Sequence, residues 1–244
     1  MAETSLISGS SPILEACGAG DIISLERLFR ASGISAGYPP ISRQYDASTV
    51  PTTISDSQGP ITLPQTYEML TAAIQGRQGA TIKYLFTIFP DARIQEPELK
   101  ACIETKDLVI FKLLADHAMD ISEVIDREFD DRSTSLSIAC LGEKPDIALF
   151  LLDNGADPNE GSPLQGIGGP LANAIEEQPV QLIQKLVEKG AVIEDRHLYA
   201  AVQKGRADVV KVLAQEGGLD LKTSLEEAKK IGSKEIVALL EKRT

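Results

Sequence analysis

The sequence is poor in the side chains on which most enzymes and metalloproteins rely. Its 244 residues include two histidines, His117 and His197, and three cysteines, Cys17, Cys102 and Cys140. An odd number of cysteines with no close pair argues against a disulfide framework and a structural zinc site. The patterns Gly-x-Ser-x-Gly, Gly-x-Gly-x-x-Gly and His-Glu-x-x-His do not occur. We therefore expect no metal, no cofactor and no catalytic residues.

Basic residues and long apolar stretches are also scarce. Lysine and arginine number 24 against 36 acidic residues, which gives a formal net charge of -12. This balance disfavours nucleic acid and anionic lipid, whose affinity depends on neutralised phosphates, and it suits a basic protein partner. No run approaches the roughly 18 apolar residues of a membrane span. The first residues, Met1 to Thr4, lack a secretory signal, so we expect an intracellular protein with the cytoplasm as its compartment.

The sequence does contain a pattern that recurs seven times. Each copy has an apolar residue, a small residue three positions later, and an amphipathic apolar stripe about ten residues further on. The fullest copy begins at Leu136 and Ala139 and continues through Ile147 to Leu152. The copies begin near residues 13, 70, 99, 136, 171, 198 and 225. A unit this short cannot bury its apolar face alone, so the pattern predicts a stacked repeat solenoid with less regular terminal copies.

Each copy predicts a pair of short helices. The small residues of the first helix allow neighbouring repeats to approach closely, and Gly205 or Gly232 supplies the left-handed residue that ends it. The second helix carries apolar residues three and four apart and ends on a glycine such as Gly155, Gly190 or Gly217. All three cysteines occupy small-residue positions of first helices, where a free thiol packs as a small hydrophobe.

These residues resemble the ankyrin repeat. Thr134, Leu136, Ala139 and Cys140 match the family motif Thr-Pro-Leu-His-x-Ala-Ala, and residues 155–159 match its Gly-Ala-Asp-x-Asn turn. The resemblance implies an all-α, ankyrin-type helical-repeat solenoid with short finger loops. One array would cover residues 11–244 after a tail at 1–10. The Thr-Pro start is complete nowhere, and the two spacings of 27 between the last three starts predict truncated fingers after residues 190 and 217.

Two segments interrupt the period. Residues 35–65 form a long insertion with five prolines and many serines and threonines. Loops of this length inside a domain are usually disordered or functional, so loose packing, a lid over a groove and a partner-binding segment all remain open. Residues 123–131 carry five carboxylates in the finger before the fourth copy. In an ankyrin array this finger would face a partner, and a basic peptide is its natural complement.

The resemblance also implies which residues contact a partner. In the family these lie after the small pair of the first helix and just before that helix, along the concave face. The corresponding residues here are Tyr67, Gln75, Glu104, Asp131, Arg132, Leu141, Glu176, Glu177, Asp195, His197, Gln203 and Lys204. Tyr67 and Leu141 would act as apolar anchors within a polar rim.

The sequence therefore predicts a non-catalytic scaffold that binds a protein or peptide, of basic character, along the concave face. One alternative is a small-molecule binder or unusual enzyme, in which the 35–65 segment closes over Tyr67, Glu177 and His197. Asp195 and a glutamate of the preceding repeat would then join His197 in an acid/base cluster. A structural subunit of an assembly and a host-directed microbial effector are further alternatives, and the oligomeric state is open.

Overall fold

The computed structural model describes residues 11–42, 53–56, 59–94, 96–117, 134–142, 144–160 and 169–243. The expected tail at 1–10 and the acidic stretch at 123–131, which includes Asp131, lie outside these residues, as does Arg132. The chain divides into two compact units, Met1–Asp120 and Ile121–Thr244. We call them unit 1 and unit 2.

Unit 1 contains three helix pairs and a two-stranded hairpin in its described residues. The helices are α1 (Pro12–Ala19), α2 (Ile22–Ala31), α3 (Thr66–Gln75), α4 (Gly79–Ile88), α5 (Glu96–Thr105) and α6 (Leu108–His117). Helices α1, α3 and α5 pack side by side as one layer. The second layer is formed by α2, α4 and α6, where the rings of Phe29 and Tyr84 stack between α2 and α4 at 6.2 Å.

Unit 2 contains four further pairs in its described residues. Its helices are α7 (Ser135–Leu141), α8 (Pro145–Asp153), α9 (Pro170–Glu177), α10 (Val180–Glu188), α11 (Asp195–Gln203), α12 (Ala207–Leu213), α13 (Leu221–Ile231) and α14 (Lys234–Glu241). The first helices α7, α9, α11 and α13 stack in order, and so do the second helices α8, α10, α12 and α14. The predicted solenoid of helix pairs is confirmed.

The core lies between the two layers and is built from the repeated apolar and small residues. In six of the seven pairs the apolar residue that begins the copy is 0 to 3% exposed, as at Ile13 and Leu198. The small residue three positions later is buried in every pair. A small side chain there lets first helices approach each other closely. The three cysteines are buried among them, which confirms their packing role.

The two first helices predicted to end at left-handed glycines do so. One of the second helices ends at a different glycine from the one predicted. Gly205 and Gly232 have φ angles of 68° and 80°, in the left-handed region that a glycine adopts without steric cost. Gly155 and Gly190 do the same after second helices. After α12 the left-handed residue is Gly218, with φ 91°, and not Gly217 as the pattern suggested.

The insertion at 35–65 is anchored at both ends and contains the hairpin. Strands β1 (Thr53–Asp56) and β2 (Gly59–Thr62) pair antiparallel, with Ile54 opposite Ile61. The Ile41 N–H donates to Thr66 Oγ1 at 2.8 Å, and the Thr66 N–H donates to the Ile41 carbonyl at 3.0 Å. These two bonds join the early part of the insertion to the start of α3. The hairpin is the one departure from an all-α fold among the described residues.

Connections in the second half of unit 2 are short, as the spacing predicts. Residues 189–194 join α10 to α11, and residues 214–220 join α12 to α13. Asn159 bridges two of the turns: its side-chain N–H donates to the Gly190 carbonyl at 2.9 Å, and its Oδ1 accepts from the Val192 N–H at 2.7 Å. Both hydrogen bonds link consecutive repeats and fix the spacing of the turns.

Candidate functional site

The first helices of unit 2 run parallel to one another, and this brings predicted site residues into a row. The Asn173 amide donates to the Ser137 carbonyl at 3.1 Å, and the Gln178 amide donates to the Cys140 carbonyl at 3.0 Å. Asn173 and Gln178 follow one another along α9 and its C-cap, and their partners Ser137 and Cys140 follow in the same order along α7. This shared order shows that the two helices run parallel. Their carboxyl ends therefore lie on the same edge.

Five predicted residues lie at this edge. Leu141 ends α7 and is 64% exposed, Glu176 and Glu177 end α9, and Gln203 and Lys204 end α11. All five side chains are exposed. We call the exposed side of α7, α9, α11 and α13 the first-helix face of unit 2. An exposed leucine beside charged and amide side chains is the composition of an anchor with a polar rim.

One ion pair crosses the row. Lys204 Nζ lies 3.1 Å from Glu176 Oε1, and both side chains are about half exposed. Solvent screening limits such a pair to about 0 to 1 kcal/mol of stability. Among the residues that the structure describes, Glu177 has no ion-pair partner. Its carboxylate is therefore available to a basic partner at little cost to the fold.

A groove of about 370 Å³ lies between α11 and α13, toward their amino-terminal ends and away from the row at their carboxyl ends. Its lining residues are Asp195, Arg196, Tyr199, Asp220, Thr223 and Ser224. Asp195 Oδ1 accepts from the Asp220 N–H at 2.7 Å, and the Asp220 carboxylate accepts from the Thr223 hydroxyl at 2.8 Å. Hydrogen bonds from the Thr223 hydroxyl and the Lys222 N–H lower the pKa of Asp220. Its carboxylate is therefore ionised at neutral pH.

His197 does not lie on this surface. Helix α11 begins at Asp195, so Asp195 and His197 lie in its first turn and not before it, as the resemblance implied. The His197 side chain is 5% exposed, and its Nδ1 accepts the Glu194 N–H at 3.0 Å. Burial, with a smaller contribution from Arg196, lowers the pKa of His197. The imidazole is thus a neutral helix cap at neutral pH.

Unit 1 holds the remaining predicted residues. Gln75 and Glu104 are exposed near the carboxyl ends of α3 and α5, whereas Tyr67 is half-buried in the first turn of α3. Eight residues of helix separate Tyr67 from Gln75, about 12 Å along the axis. The structure therefore brings Gln75 and Glu104 to one edge and leaves Tyr67 at the other end of α3.

The described residues offer little nucleophilic or metal-binding chemistry. Burial raises the pKa of the Cys17 and Cys102 thiols to about 12, and that of Cys140 further still. A thiol of this kind is protonated at neutral pH and is a poor nucleophile. Within the described ranges, no three His, Cys, Asp or Glu side chains are placed to hold a metal ion. No described helix combines the length and apolar character needed to cross a membrane.

The contact residues predicted from the sequence did not include Tyr199 and Thr223, which line the groove. Tyr199 directly follows the apolar start of its copy, Leu198, and Thr223 lies two residues before the apolar start Leu225. Aligning the starts of neighbouring copies would have placed both at the opening of a first helix. That the two helices leave space between them at this point is visible only in the fold.

Comparisons with known proteins bear on the fold. No family model matches the chain. Alpha-latrocrustotoxin-Lt1a from Latrodectus tredecimguttatus is 32% identical over 129 residues, which cover 49% of this chain but 8% of the toxin. The chain thus spans less than a tenth of the length of this curated relative.

Solved structures resemble the chain along nearly its whole length. The human ASB11 ankyrin repeat domain has a TM-score of 0.61 at 20% identity, covering 96% of this chain and 98% of that one. The ankyrin repeat domain of Bcl-3, a member of the IkappaB protein family, has a TM-score of 0.65 at 20% identity, covering 96% and 99%. A chain from the complex of the Bdellovibrio bacteriovorus endopeptidase Bd0816 with immunity protein Bd3460 has a TM-score of 0.55 at 15% identity, covering 84% and 97%. The fold of this chain is therefore the ankyrin-repeat solenoid.

Proposed function

We propose that this protein is a non-catalytic scaffold that binds a basic protein or peptide segment through the first-helix face of unit 2. Ankyrin-repeat domains generally mediate protein–protein interactions. The observation that carries the proposal is the exposed row at the carboxyl ends of α7, α9 and α11. It combines the apolar anchor Leu141 with the carboxylates of Glu176 and Glu177.

Contacts between neighbouring repeats order this face in the free protein. Side chains of one repeat donate hydrogen bonds to the backbone of the preceding repeat: Gln178 to the Cys140 carbonyl, and Arg206 Nη1 to the Ile175 carbonyl at 3.2 Å. Lys185 Nζ also lies 3.0 Å from Asp153 Oδ1 between α10 and α8. A surface already ordered in the free protein loses less entropy on binding, which favours affinity.

Charge and size suit a basic segment. The net charge of -12 steers a basic partner toward the chain, and Glu177 and the Asp195–Asp220 groove supply local carboxylates. Four neighbouring helices at about 8 to 10 Å spacing present a surface some 30 Å across. A specific interface takes roughly 800 Å² from each partner, so a partner would have to contact all four helices.

No observation favours the alternative of an enzyme or small-molecule binder. That alternative needs an accessible His197 to complete an acid/base cluster with Asp195 and a glutamate. The His197 imidazole is buried, and its Nδ1 already accepts the backbone N–H of Glu194. Tyr67 belongs to unit 1, and Glu177 and His197 belong to unit 2.

Affinity purification with a matched control tests the proposal. The intact chain is compared with a face variant, Leu141→Asp with Glu177→Lys, and with a control on α10, Gln184→Asp with Glu188→Lys, which makes equal changes of charge. Circular dichroism confirms that all three fold. Mass spectrometry should find a protein that the control retains and the face variant loses. Equal retention by both variants would overturn the proposal.

The basic character of the partner has its own test. The segment of the captured protein that is protected from hydrogen exchange in the complex should be rich in Lys and Arg. Its affinity should fall about tenfold or more as NaCl rises from low to high ionic strength, because salt screens the opposed charges. An acidic segment, or an affinity independent of salt, would refute this part of the proposal.

A further inference from the structure

The second helices of unit 1 expose large apolar side chains at equivalent positions. Ile23 is 81% exposed and Val109 is 78% exposed. Each is the second residue of its helix, in α2 and α6, and Ala80 is exposed at the same position in α4 between them. Because α2, α4 and α6 follow one another in one layer, these three residues form a row. We call the exposed side of these helices the outer face of unit 1.

Local helix stability does not account for this row. Acidic side chains are favoured in the first turn of a helix, where they oppose the positive end of its dipole. The equivalent residues in unit 2 are Asp146, Gln181, Asp208 and Glu235. In unit 1 the capping is done by Asp21 and Asp107, whose carboxylates accept N–H groups of α2 and α6 at 3.0 Å. The exposed isoleucine and valine are therefore not needed by the helices that carry them.

A groove of about 300 Å³ lies on the same face between α4 and α6. Its lining residues are Lys83, Phe86, Thr87, Leu113, Asp116 and His117. The His117 ring stacks on Phe86, with ring centroids 3.6 Å apart and planes 20° apart. The floor of the groove is thus apolar and aromatic, while Lys83 and Asp116 are exposed at its walls. This is space for an apolar side chain with a carboxylate beside it.

Within the bounds of its helices the outer face has more basic than acidic residues, while the capping carboxylates of Asp21 and Asp107 lie at its amino-terminal edge. Helices α2, α4 and α6 carry Arg27, Arg30, Lys83 and Lys112 against Glu26 and Asp116. The second helices of unit 2 have the reverse excess, with six acidic residues against three basic ones. On a protein of net charge -12, this basic surface attracts acidic partners that the rest of the chain repels.

We propose that the outer face of unit 1 is a second protein-binding surface, which takes an acidic segment carrying apolar side chains. The partner's apolar groups would contact Ile23, Val109 and the groove floor, and its carboxylates would pair with Lys83 and Lys112. Exposed apolar side chains among the basic ones, together with the net charge of the chain, favour a peptide over nucleic acid. This site is separate from the first-helix face and does not depend on it.

A depleted peptide library tests this proposal. A displayed library of random 16-residue peptides is first depleted on a variant with Lys83→Glu, Lys112→Glu and Val109→Ser, and then selected on the intact chain. The peptides that survive should be enriched in Asp or Glu together with Leu, Ile or Phe. No surviving binders, or survivors without acidic residues, would overturn the proposal.

A surviving peptide, labelled with fluorescein, then supplies a quantitative probe. Fluorescence anisotropy should show binding at least tenfold weaker for Ile23→Ser with Val109→Ser and for Lys83→Glu with Lys112→Glu. The control Lys211→Glu with Lys234→Glu, on α12 and α14, should leave the affinity unchanged, as should the face variant Leu141→Asp with Glu177→Lys. Equal weakening by the control would place the binding elsewhere and refute the assignment.

Two competing occupants are measured on the same proteins. A fluorescein-labelled 20-nucleotide single strand should bind no better to the intact chain than to the Lys83→Glu, Lys112→Glu variant. Sedimentation of the intact chain should show no self-association that this variant abolishes. Selective binding of the oligonucleotide, or such a self-association, would replace the acidic peptide as occupant and overturn the proposal.

Discussion

At the scale of single residues, two glycines allow close contact between α1 and α3. Gly18 in α1 and Gly76 at the end of α3 meet so closely that a Cβ on Gly76 would overlap the carbonyl of Gly18. The neighbour is backbone and cannot rotate away. Gly79, at the start of α4, has open space around the position of a Cβ.

Gly76→Ala should therefore destabilise the protein by about 1 to 3 kcal/mol through overpacking of α1 against α3. Gly79→Ala, the matched control, should leave stability unchanged or raise it by about 0.4 to 1 kcal/mol, because alanine reduces the entropy of the unfolded chain. Urea unfolding followed by circular dichroism measures both. Equal midpoints for the two variants would show that α1 and α3 can separate without cost.

His197 should make stability depend on pH near neutrality. Burial lowers its pKa in the folded protein below the ordinary value of 6.5. The unfolded chain then binds a proton at a higher pH than the folded chain does. The contribution of the neutral His197 to the free energy of unfolding is therefore complete above about pH 6.5. It is lost as pH falls through that value and stops changing below the pKa of His197 in the folded protein.

The variant His197→Gln keeps an acceptor for the Glu194 N–H but cannot titrate. Between pH 7.5 and 5 it should lose less free energy of unfolding than the intact chain does. His117→Gln, on the exposed end of α6, serves as the control and should follow the intact chain. If His197→Gln retains the full pH dependence, then His197 is not its source.

At the scale of elements, polar side chains set the register between repeats. Asn159 holds the turns after α8 and α10 together through its bonds to Gly190 and Val192. The Asn154 side chain, five residues earlier, donates to the Phe150 carbonyl of its own helix at 2.8 Å. The two asparagines therefore distinguish contacts between repeats from contacts within a repeat.

Asn159→Ala should cost about 1 to 3 kcal/mol, since it removes two hydrogen bonds of about 0.5 to 1.5 kcal/mol each. Asn154→Ala should cost less. Urea unfolding gives the free energies, and hydrogen exchange of the Val192 amide should be faster only in Asn159→Ala. Unchanged exchange at Val192 would show that this bond does not hold the two turns together.

At the scale of the whole molecule, repeat contacts are local, so the effect of a substitution should be local too. In a solenoid each repeat contacts only its neighbours, and stability is a sum of repeat and interface terms. A defect between α1 and α3 therefore weakens its own repeats most. A measurement of global unfolding would not show this difference between repeats, whereas the local opening of each repeat does show it.

Hydrogen exchange of Gly76→Ala should therefore accelerate in α1 to α4 more than in α11 to α14. The control Gly79→Ala should change neither region. Equal acceleration in both regions would mean that the chain opens only as one cooperative unit, which would contradict the nearest-neighbour description.

The repeats could be derived from the sequence because their cause is local periodicity. Apolar and small residues at fixed spacing, such as Leu136 with Ala139, determine helix pairs that must stack to bury their stripes. The roles of Cys140 and Gly205 followed from the same pattern. The row of Leu141, Glu177 and Gln203 also follows, because equal positions in parallel stacked helices share an edge.

The tertiary structure alone decided the rest. Helix α11 begins ahead of its apolar start, and this buries His197, because an N3 side chain turns back toward the helix cap. The groove beside Tyr199 and the exposed row of Ile23 and Val109 depend on which side of each helix its neighbours leave uncovered. Periodicity shows which residue types recur at equivalent positions. Whether such a side chain is buried or exposed depends on packing between repeats that are distant in sequence.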